Sequence, residues 1–194
     1  MKKVHAVLLF GLSLLLFGCY SRDDDYFDKI VRLSISDAVV FDNQENYNVG
    51  DTLIFELRFS RYLDEAGFSN KLDVFETSNS EEFGYSFGIS KFSDFSNNFE
   101  SVNIDEEFIL GTRSANYSYF GYGYSNANMA ALLNENQEEY ISKVGIVLVE
   151  TGRFQLDFER VTLSTGYDFD TIGVEIEHLL SAESTLNTEF TVNE

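Results

Sequence analysis

The sequence offers few residues for covalent cross-links or for metal binding. It contains a single cysteine, Cys19, with two histidines and no tryptophan or proline. One cysteine cannot form a disulfide within the chain, and the usual cysteine and histidine ligands of zinc are missing. The absence of tryptophan also weakens the case for stacking on sugar rings. The fold must therefore rely on its apolar core, which a chain of 194 residues can supply.

Positive charge is also scarce. The chain has 13 Lys and Arg residues against 33 Asp and Glu residues, and its formal net charge is −20. Removing residues 1–18 takes away Lys2 and Lys3 but no acidic residue, which leaves a net charge of −22. Such a charge repels phosphate backbones, so we expect no nucleic-acid partner. It likewise disfavours electrostatic docking onto anionic lipid.

Long apolar runs are absent. Residues 4–17 form a short apolar stretch that only His5, Gly11 and Ser13 interrupt. A membrane-spanning helix needs about 20 apolar residues, whereas the core of a secretory signal needs roughly 7–15. Because Lys2 and Lys3 give the stretch a basic start, it has the pattern of a signal peptide.

The apolar stretch ends in Leu16-Phe17-Gly18-Cys19. This ending resembles the lipobox of bacterial lipoprotein signal peptides. The resemblance implies that residues 1–18 are removed, and that Cys19 becomes the first residue and carries two or three acyl chains such as palmitate. Two or more chains hold a protein stably on a membrane. We expect no cofactor beyond this covalent lipid. The alternatives are an ordinary secretory peptide with an incidental cysteine and a membrane-anchored N-terminus.

Three aspartates, Asp23 to Asp25, follow shortly after Cys19. They resemble the acidic export signal of surface lipoproteins in Bacteroidota-type bacteria, which implies an outer-membrane protein that faces the outside of the cell. A solvated spacer between lipid and domain is the plainer interpretation. In either case we interpret residues 19–28 as an acidic tether.

Residues 29–194 predict one domain that is mainly β. Apolar and polar residues alternate most clearly over 53–59 and again over 83–89. Strands at this spacing, without regular βαβ alternation, favour an antiparallel β-sandwich. The segment Val49-Gly50-Asp51-Thr52-Leu53 resembles the entry to an early strand of immunoglobulin-like modules. That resemblance implies an immunoglobulin-like or related sandwich.

Three segments carry more specific predictions. Residues 126–143 have apolar side chains at helical spacing and predict one short α-helix. Residues 146–158, with Gly152 between two alternating runs, predict a β-hairpin. Leu72 and Val74, with Phe75 as a further candidate, indicate a short strand.

A tyrosine-rich segment is the first candidate for ligand binding. Tyr117 and Tyr119 share one face of an extended chain, as do Tyr122 and Tyr124, with glycine allowing a bend between the pairs. Tyrosine offers a flat apolar ring with a polar tip, which suits contacts with sugars or proteins. A half-buried strand requires the same alternation, so that interpretation stays open.

Asp168 and Asp170 are weak candidates for binding calcium, with Asp42, Asn43 and Glu45 in another loop. Calcium takes six to eight oxygen ligands, and these residues supply too few at a recognisable spacing. A solvated turn is the favoured interpretation, and we predict no metal site.

His178 is the sole histidine after residues 1–18, and it continues the alternation of Ile172, Val174 and Ile176. A catalytic triad needs a nucleophile, an imidazole and an orienting acid in contact. Because no nucleophile motif accompanies His178, a structural role is favoured. No pair of carboxylates can be singled out for glycoside hydrolysis, so we predict no catalytic residue.

These observations favour a lipid-anchored protein of the outer membrane that acts as a non-enzymatic binding or accessory module. Its expected partner is a glycan or an envelope protein. A carboxylate-based extracellular hydrolase is the alternative, and a structural component of an envelope complex is another.

Replacing Cys19 with alanine should release the protein from membranes, because the acyl chains then have no attachment site. Membrane fractionation measures the effect, and intact mass should show acyl chains on the unchanged protein only. Ser36→Ala serves as the control and should stay with the membrane. Continued membrane association of the Cys19→Ala protein would contradict the anchor.

Overall fold

The computed structural model describes residues 30–41, 44–103, 105–114, 127–158, 161–166, 171–177, 179–180 and 188–194. This part of the chain is mainly β, as the sequence predicts, and its one short helix lies outside the segment predicted to be helical. The elements are β1 (Ile30–Ser34), β2 (Val39–Phe41), β3 (Asn46–Asn48), β4 (Thr52–Ser60), β5 (Tyr62–Leu63), β6 (Leu72–Asp73), α1 (Val74–Ser78), β7 (Glu82–Ser93), β8 (Asn98–Val102), a 3-10 turn (Glu106–Phe108), β9 (Ile109–Leu110), β10 (Ala127–Leu133), β11 (Glu139–Val147), β12 (Gly152–Asp157), β13 (Leu163–Ser164), β14 (Gly173–Glu177) and β15 (Glu189–Asn193).

Nearly all of these strands belong to one mixed, strongly curled sheet with the form of a half-barrel. Its main path runs β1-β14-β13-β7-β10-β11-β4-β2, and β9 adds to β11. A second set, β3-β15-β12, joins the sheet through the later half of β7, which also pairs with β8. Because β7 pairs with both sets, it connects the two parts of the sheet. β5 and β6 form a small separate pair.

The alternating pattern in β4 corresponds to one buried and one exposed face. Leu53, Phe55, Leu57 and Phe59 are buried, whereas the residues between them are exposed or half-buried. β4 pairs with β11 over the full length of β11, so its buried face has a fixed position.

Ring contacts bring β4 and β7 face to face, although β10 and β11 separate them along the sheet. The ring centroids of Phe55 and Phe87 lie 5.1 Å apart, and those of Phe59 and Phe83 lie 5.2 Å apart, both nearly perpendicular. Neighbouring strands are about 4.8 Å apart, so a flat sheet would separate β4 from β7 by roughly 14 Å. The sheet therefore curls around a shared aromatic core.

Further buried rings complete this core. Phe158 packs on Phe55 with a centroid distance of 5.0 Å, and Tyr140 stacks on Phe59 at 5.0 Å. Each aromatic pair contributes about 0.5–1.5 kcal/mol beyond its buried area. The Tyr85 hydroxyl and the Ser142 hydroxyl are hydrogen-bonded at 2.9 Å, and burial raises the pKa of Tyr85.

The prediction of a purely antiparallel β-sandwich is wrong in two respects. β1 pairs with β14 in parallel, and β3 pairs with β15 in parallel. In addition, β7 makes the sheet continuous rather than two separate layers, because its first half pairs with β10 and its second half with β12. Alternation in sequence shows which face is buried, but it does not show which strand lies alongside.

The predicted helix over residues 126–143 is also wrong, because β10, a turn and β11 occupy it. β10 has small side chains: Ala130 and Ala131 are both buried although they point to opposite faces. Alanine favours helices, but here it lets a central strand be covered on both sides. Asn134 makes the turn, since its side chain accepts a hydrogen bond from the Glu138 N–H at 3.0 Å.

The predicted hairpin over residues 146–158 has the right strands but the wrong pairing. β11 pairs with β4, β9 and β10, whereas β12 pairs with β7 and β15. The residues around Glu150 therefore cross from one part of the sheet to the other instead of turning back. Gly152, with φ of 143°, begins β12 on the far side of that crossing.

The predicted strand at Leu72 ends at Asp73, and α1 begins at Val74, which was predicted to be part of the strand. The Asp73 carboxylate caps this helix by accepting hydrogen bonds of 3.1 Å from the N–H groups of Phe75 and Glu76. Asn79, in the left-handed conformation, ends it.

Arg61 attaches α1 to the rest of the domain. Its guanidinium donates two hydrogen bonds to the Asp73 carboxylate, at 2.7 and 2.6 Å, and lies 4.8 Å from the Phe75 ring centroid. The Arg61 N–H also donates to the Glu138 carbonyl at 2.8 Å. The hydrogen bond from Arg61 lowers the pKa of Asp73 below its usual value. This one residue thus connects β4, α1 and the β10–β11 turn.

Replacing Arg61 with lysine should lower the thermal unfolding midpoint by several degrees, because lysine cannot make the two parallel hydrogen bonds to Asp73. Arg58→Lys, at an exposed pair with Glu56, is the matched control and should change the midpoint much less. Equal effects of the two substitutions would contradict the role of Arg61.

The contribution of the Arg61–Asp73 pair should depend on pH in the acid range. Because the folded-state pKa of Asp73 is lowered, its stabilisation is complete above an unfolded pKa of about 3.9 and is lost as pH falls through the folded pKa. The difference in stability between the unchanged protein and Asp73→Asn should therefore shrink below about pH 4. A difference that stays constant from neutral to strongly acidic pH would contradict this.

Two glycines with positive φ should respond differently to alanine. At Gly50 (φ 95°) an added methyl group would meet nothing within 4 Å, whereas at Gly111 (φ 139°) it would lie 2.8 Å from the Lys143 carbonyl oxygen. Gly50→Ala should cost about 1 kcal/mol of unfolding free energy for the backbone alone. Gly111→Ala should cost about 3 kcal/mol because overpacking adds to it. Denaturant unfolding measures both, and equal costs would contradict the packing at Gly111.

Candidate functional site

Most residues that the sequence singles out lie outside the described residues. These are Cys19, Asp42, Asn43, Tyr117, Tyr119, Tyr122, Tyr124, Asp168, Asp170 and His178. Of the weak calcium candidates only Glu45 is described; it is exposed, and its backbone carbonyl accepts a hydrogen bond from the Thr191 N–H at 2.9 Å.

The described residues form a cleft at one end of the curled sheet, which we call the end cleft. It opens where β7 and β11 end and β12 begins, and its volume is about 210 Å³. Its walls are mainly apolar and come from both parts of the sheet. They include Ile89, Val102, Phe108, Ile146, Phe154 and Phe190.

Stacked rings fix the inner wall of the end cleft. Phe154 of β12 and Phe190 of β15 are stacked with centroids 5.6 Å apart, and Tyr47 packs edge-on against Phe190 at 5.7 Å. The alternation of β12 and β15 directs these rings inward, since neighbouring residues of each strand are more exposed. The inner wall of the cleft is therefore rich in carbon atoms and is held by packing between rings.

The mouth of the end cleft is acidic. Asp105 and Glu150 line it, and the exposed Glu107 stands between lining residues. Lys91 offsets part of this charge: its ammonium group lies 2.9 Å from the Glu150 carboxylate and 5.4 Å from the Phe154 ring centroid. The site thus combines an apolar interior with a negatively charged rim.

A second feature, the aromatic–arginine cluster, lies on β7, β8 and β12. It consists of Phe92, Phe99 and Arg153. The Arg153 guanidinium lies 4.6 Å from the Phe92 ring centroid, and the Phe92 and Phe99 rings meet edge to face at 5.4 Å. Arg153 also forms an exposed ion pair with Glu189 at 3.6 Å. This half-exposed surface can contact a flat group, but the ion pair already engages the guanidinium.

The residues of the end cleft were not predicted from the sequence as a site. Val149, which lines the cleft and is 49% exposed, gives no distinctive local signal, since other apolar residues such as Leu110 and Ile172 are similarly exposed. The cleft itself depends on strands that are distant in sequence, so alternation within any one strand could not reveal it.

The described ranges lack both a group of metal-binding side chains and a helix that could span a membrane. Within them no group of three or more His, Cys, Asp or Glu side chains is placed to hold a metal ion. The same part of the chain contains no helix with the length and apolar character needed to cross a membrane.

Comparison with known proteins gives little similarity. No protein-family model matches the chain, and no curated protein matches it. Among solved structures, the chain is similar to a β-glucosidase from Listeria innocua in complex with glucose, at 12% sequence identity and a TM-score of 0.28. The similarity covers 74% of this chain and 16% of that chain. A similarity of this extent carries no conclusion about fold or activity.

Proposed function

We propose that the protein is an outer-membrane lipoprotein, anchored through acyl chains on Cys19 and displayed at the cell surface. Its β domain is a non-enzymatic binding or accessory module that contacts a glycan or a protein of the envelope. The signal-peptide pattern before Cys19 and the acidic tether support the anchor. The end cleft is the observation that supports binding.

The position of the end cleft fits display from a membrane. The first residue of β1 pairs with the first residue of β14. β13 pairs with β14 on one side and with β7 on the other, and these registers align the start of β14 with the start of β7. The domain therefore begins level with the start of β7. The end cleft lies toward the opposite end of β7, where Ile89 and the first residues of β12 are close together. With about 3.3 Å per residue, the stretch of β7 from Glu82 to Ile89 corresponds to roughly 23 Å along the strand. If the chain runs from the lipid on Cys19 into the domain at β1, the cleft faces away from the membrane.

We also propose that the pairing derives from an immunoglobulin-like Greek key. In such modules one sheet has the strand order A-B-E-D and the other has C-F-G. Here β2-β4-β11-β9 would correspond to the first order, and β7-β12-β15 to the second. Modules of this kind carry their variable contact residues on loops at the ends of the strands, which is where the end cleft lies.

Site-specific photo-cross-linking in intact cells tests the proposed function. A photo-reactive residue at Val149, beside the end cleft, should become linked to one defined envelope protein or glycan. The same residue at Glu138, exposed in the β10–β11 turn at the other end, is the matched control and should give no such product.

Two outcomes would contradict the proposal. One is equal cross-linking from positions 149 and 138, which would indicate non-specific contacts. The other is an intact mass that shows no acyl chain on the native protein, because the module would then not be displayed from lipid.

A further inference from the structure

We propose that the end cleft receives one apolar side chain of a protein partner, presented on an exposed segment with lysine or arginine on either side of it. This inference rests on the proposed function and names the class of partner. It follows from the size, the lining and the charge of the cleft.

The volume of the end cleft suits a single side chain. Pockets for drug-sized ligands span about 300–1,000 Å³, whereas a cavity of about 150 Å³ holds a benzene ring. At about 210 Å³ the cleft matches one aromatic or large aliphatic group. Binding sites that depend on one such anchor are typical of protein partners.

The lining of the end cleft disfavours a sugar. The stacked Phe154 and Phe190 rings, with Ile89, Val102 and Ile146, present carbon atoms, whereas the polar lining residues Asn103, Asp105 and Glu150 are exposed. A hydroxyl group buried against such a wall loses its hydrogen bonds to water, at a cost of about 1–3 kcal/mol by mutational data. An apolar side chain meets no such penalty and gains from removal of its surface from water.

The rim of the end cleft determines the charge of the flanking residues. Asp105 and Glu150 line the cleft and are exposed, Lys91 pairs with Glu150, and the whole chain carries a net charge of −20. Lysine or arginine beside the anchor would meet this rim favourably, whereas acidic neighbours would be repelled. The same field would speed the encounter with a basic segment.

Short peptides containing tryptophan provide a direct test, because the protein itself has no tryptophan. Indole fluorescence then comes from the peptide alone. The full-length lipidated protein, in a mild neutral detergent, is titrated into a peptide with the central sequence Lys-Trp-Lys. Peptides with Glu-Trp-Glu are the matched control, and micelles without protein are the blank. Competition by unlabelled Lys-Phe-Lys and Lys-Ala-Lys peptides tests the anchor.

The Lys-Trp-Lys peptide should bind saturably with a blue-shifted emission, Glu-Trp-Glu should not, and only Lys-Phe-Lys should compete. Replacing both Asp105 with asparagine and Glu150 with glutamine should weaken binding by about two- to tenfold, as expected for two exposed charge pairs. The matched control pair, Glu135→Gln with Glu138→Gln at the other end, should leave affinity unchanged. High salt should reproduce the effect of the rim substitutions.

Equal binding of Glu-Trp-Glu, or equal loss of affinity in the control pair, would overturn the inference. Absence of saturable binding by any peptide would also overturn it. If position 149 still cross-links to a glycan in cells, the proposed function stands and only the inferred partner class fails. If the native protein carries no lipid, the proposed function fails whatever the peptides show.

Discussion

Contacts between the rings of β4 and those of β7 hold the sheet in its curled form. Phe55 against Phe87 and Phe59 against Phe83 join strands that two others separate along the sheet. With one cysteine in the chain, no disulfide can supply that closure. The apolar rings must do so through burial and packing. The end cleft depends on the same curl, because its walls come from both parts of the sheet and would separate if the sheet were flat.

Strand positions were largely predictable from the sequence. The alternation in β4 follows from one buried and one more exposed face, whereas in β7 and β14 large apolar residues on one face alternate with small or polar, buried or half-buried residues on the other. Pairing was not predictable, since alternation carries no information about the neighbouring strand. The region around Gly152 is an example: both predicted strands, β11 and β12, are present, but they pair with other strands and not with each other. In β10, alanines such as Ala130 led to the helix prediction because alanine favours helices. In the structure the same small side chains are buried in a strand that is covered on both faces.

The candidate site was less predictable than the fold. Its inner wall combines Phe154 and Phe190, which lie far apart in sequence, with Ile146 from the other part of the sheet. None of these residues forms a motif, because each is an ordinary inward-facing strand residue. The tyrosines at positions 117–124 drew attention through composition, yet composition cannot show whether a ring faces a ligand or the core. A cleft formed by strands that are distant in sequence can be recognised only when the positions of those strands are known.

The distance between the rings of Phe55 and Phe87 tests the curled sheet most directly. Nuclear Overhauser effects between these rings, measured on full-length protein with selectively labelled phenylalanine, report that distance. The structure predicts strong cross-peaks, because the ring centroids lie 5.1 Å apart. A flat sheet with the same pairing would separate the two strands by roughly 14 Å. Absence of these cross-peaks in the folded protein would contradict the curl and, with it, the end cleft.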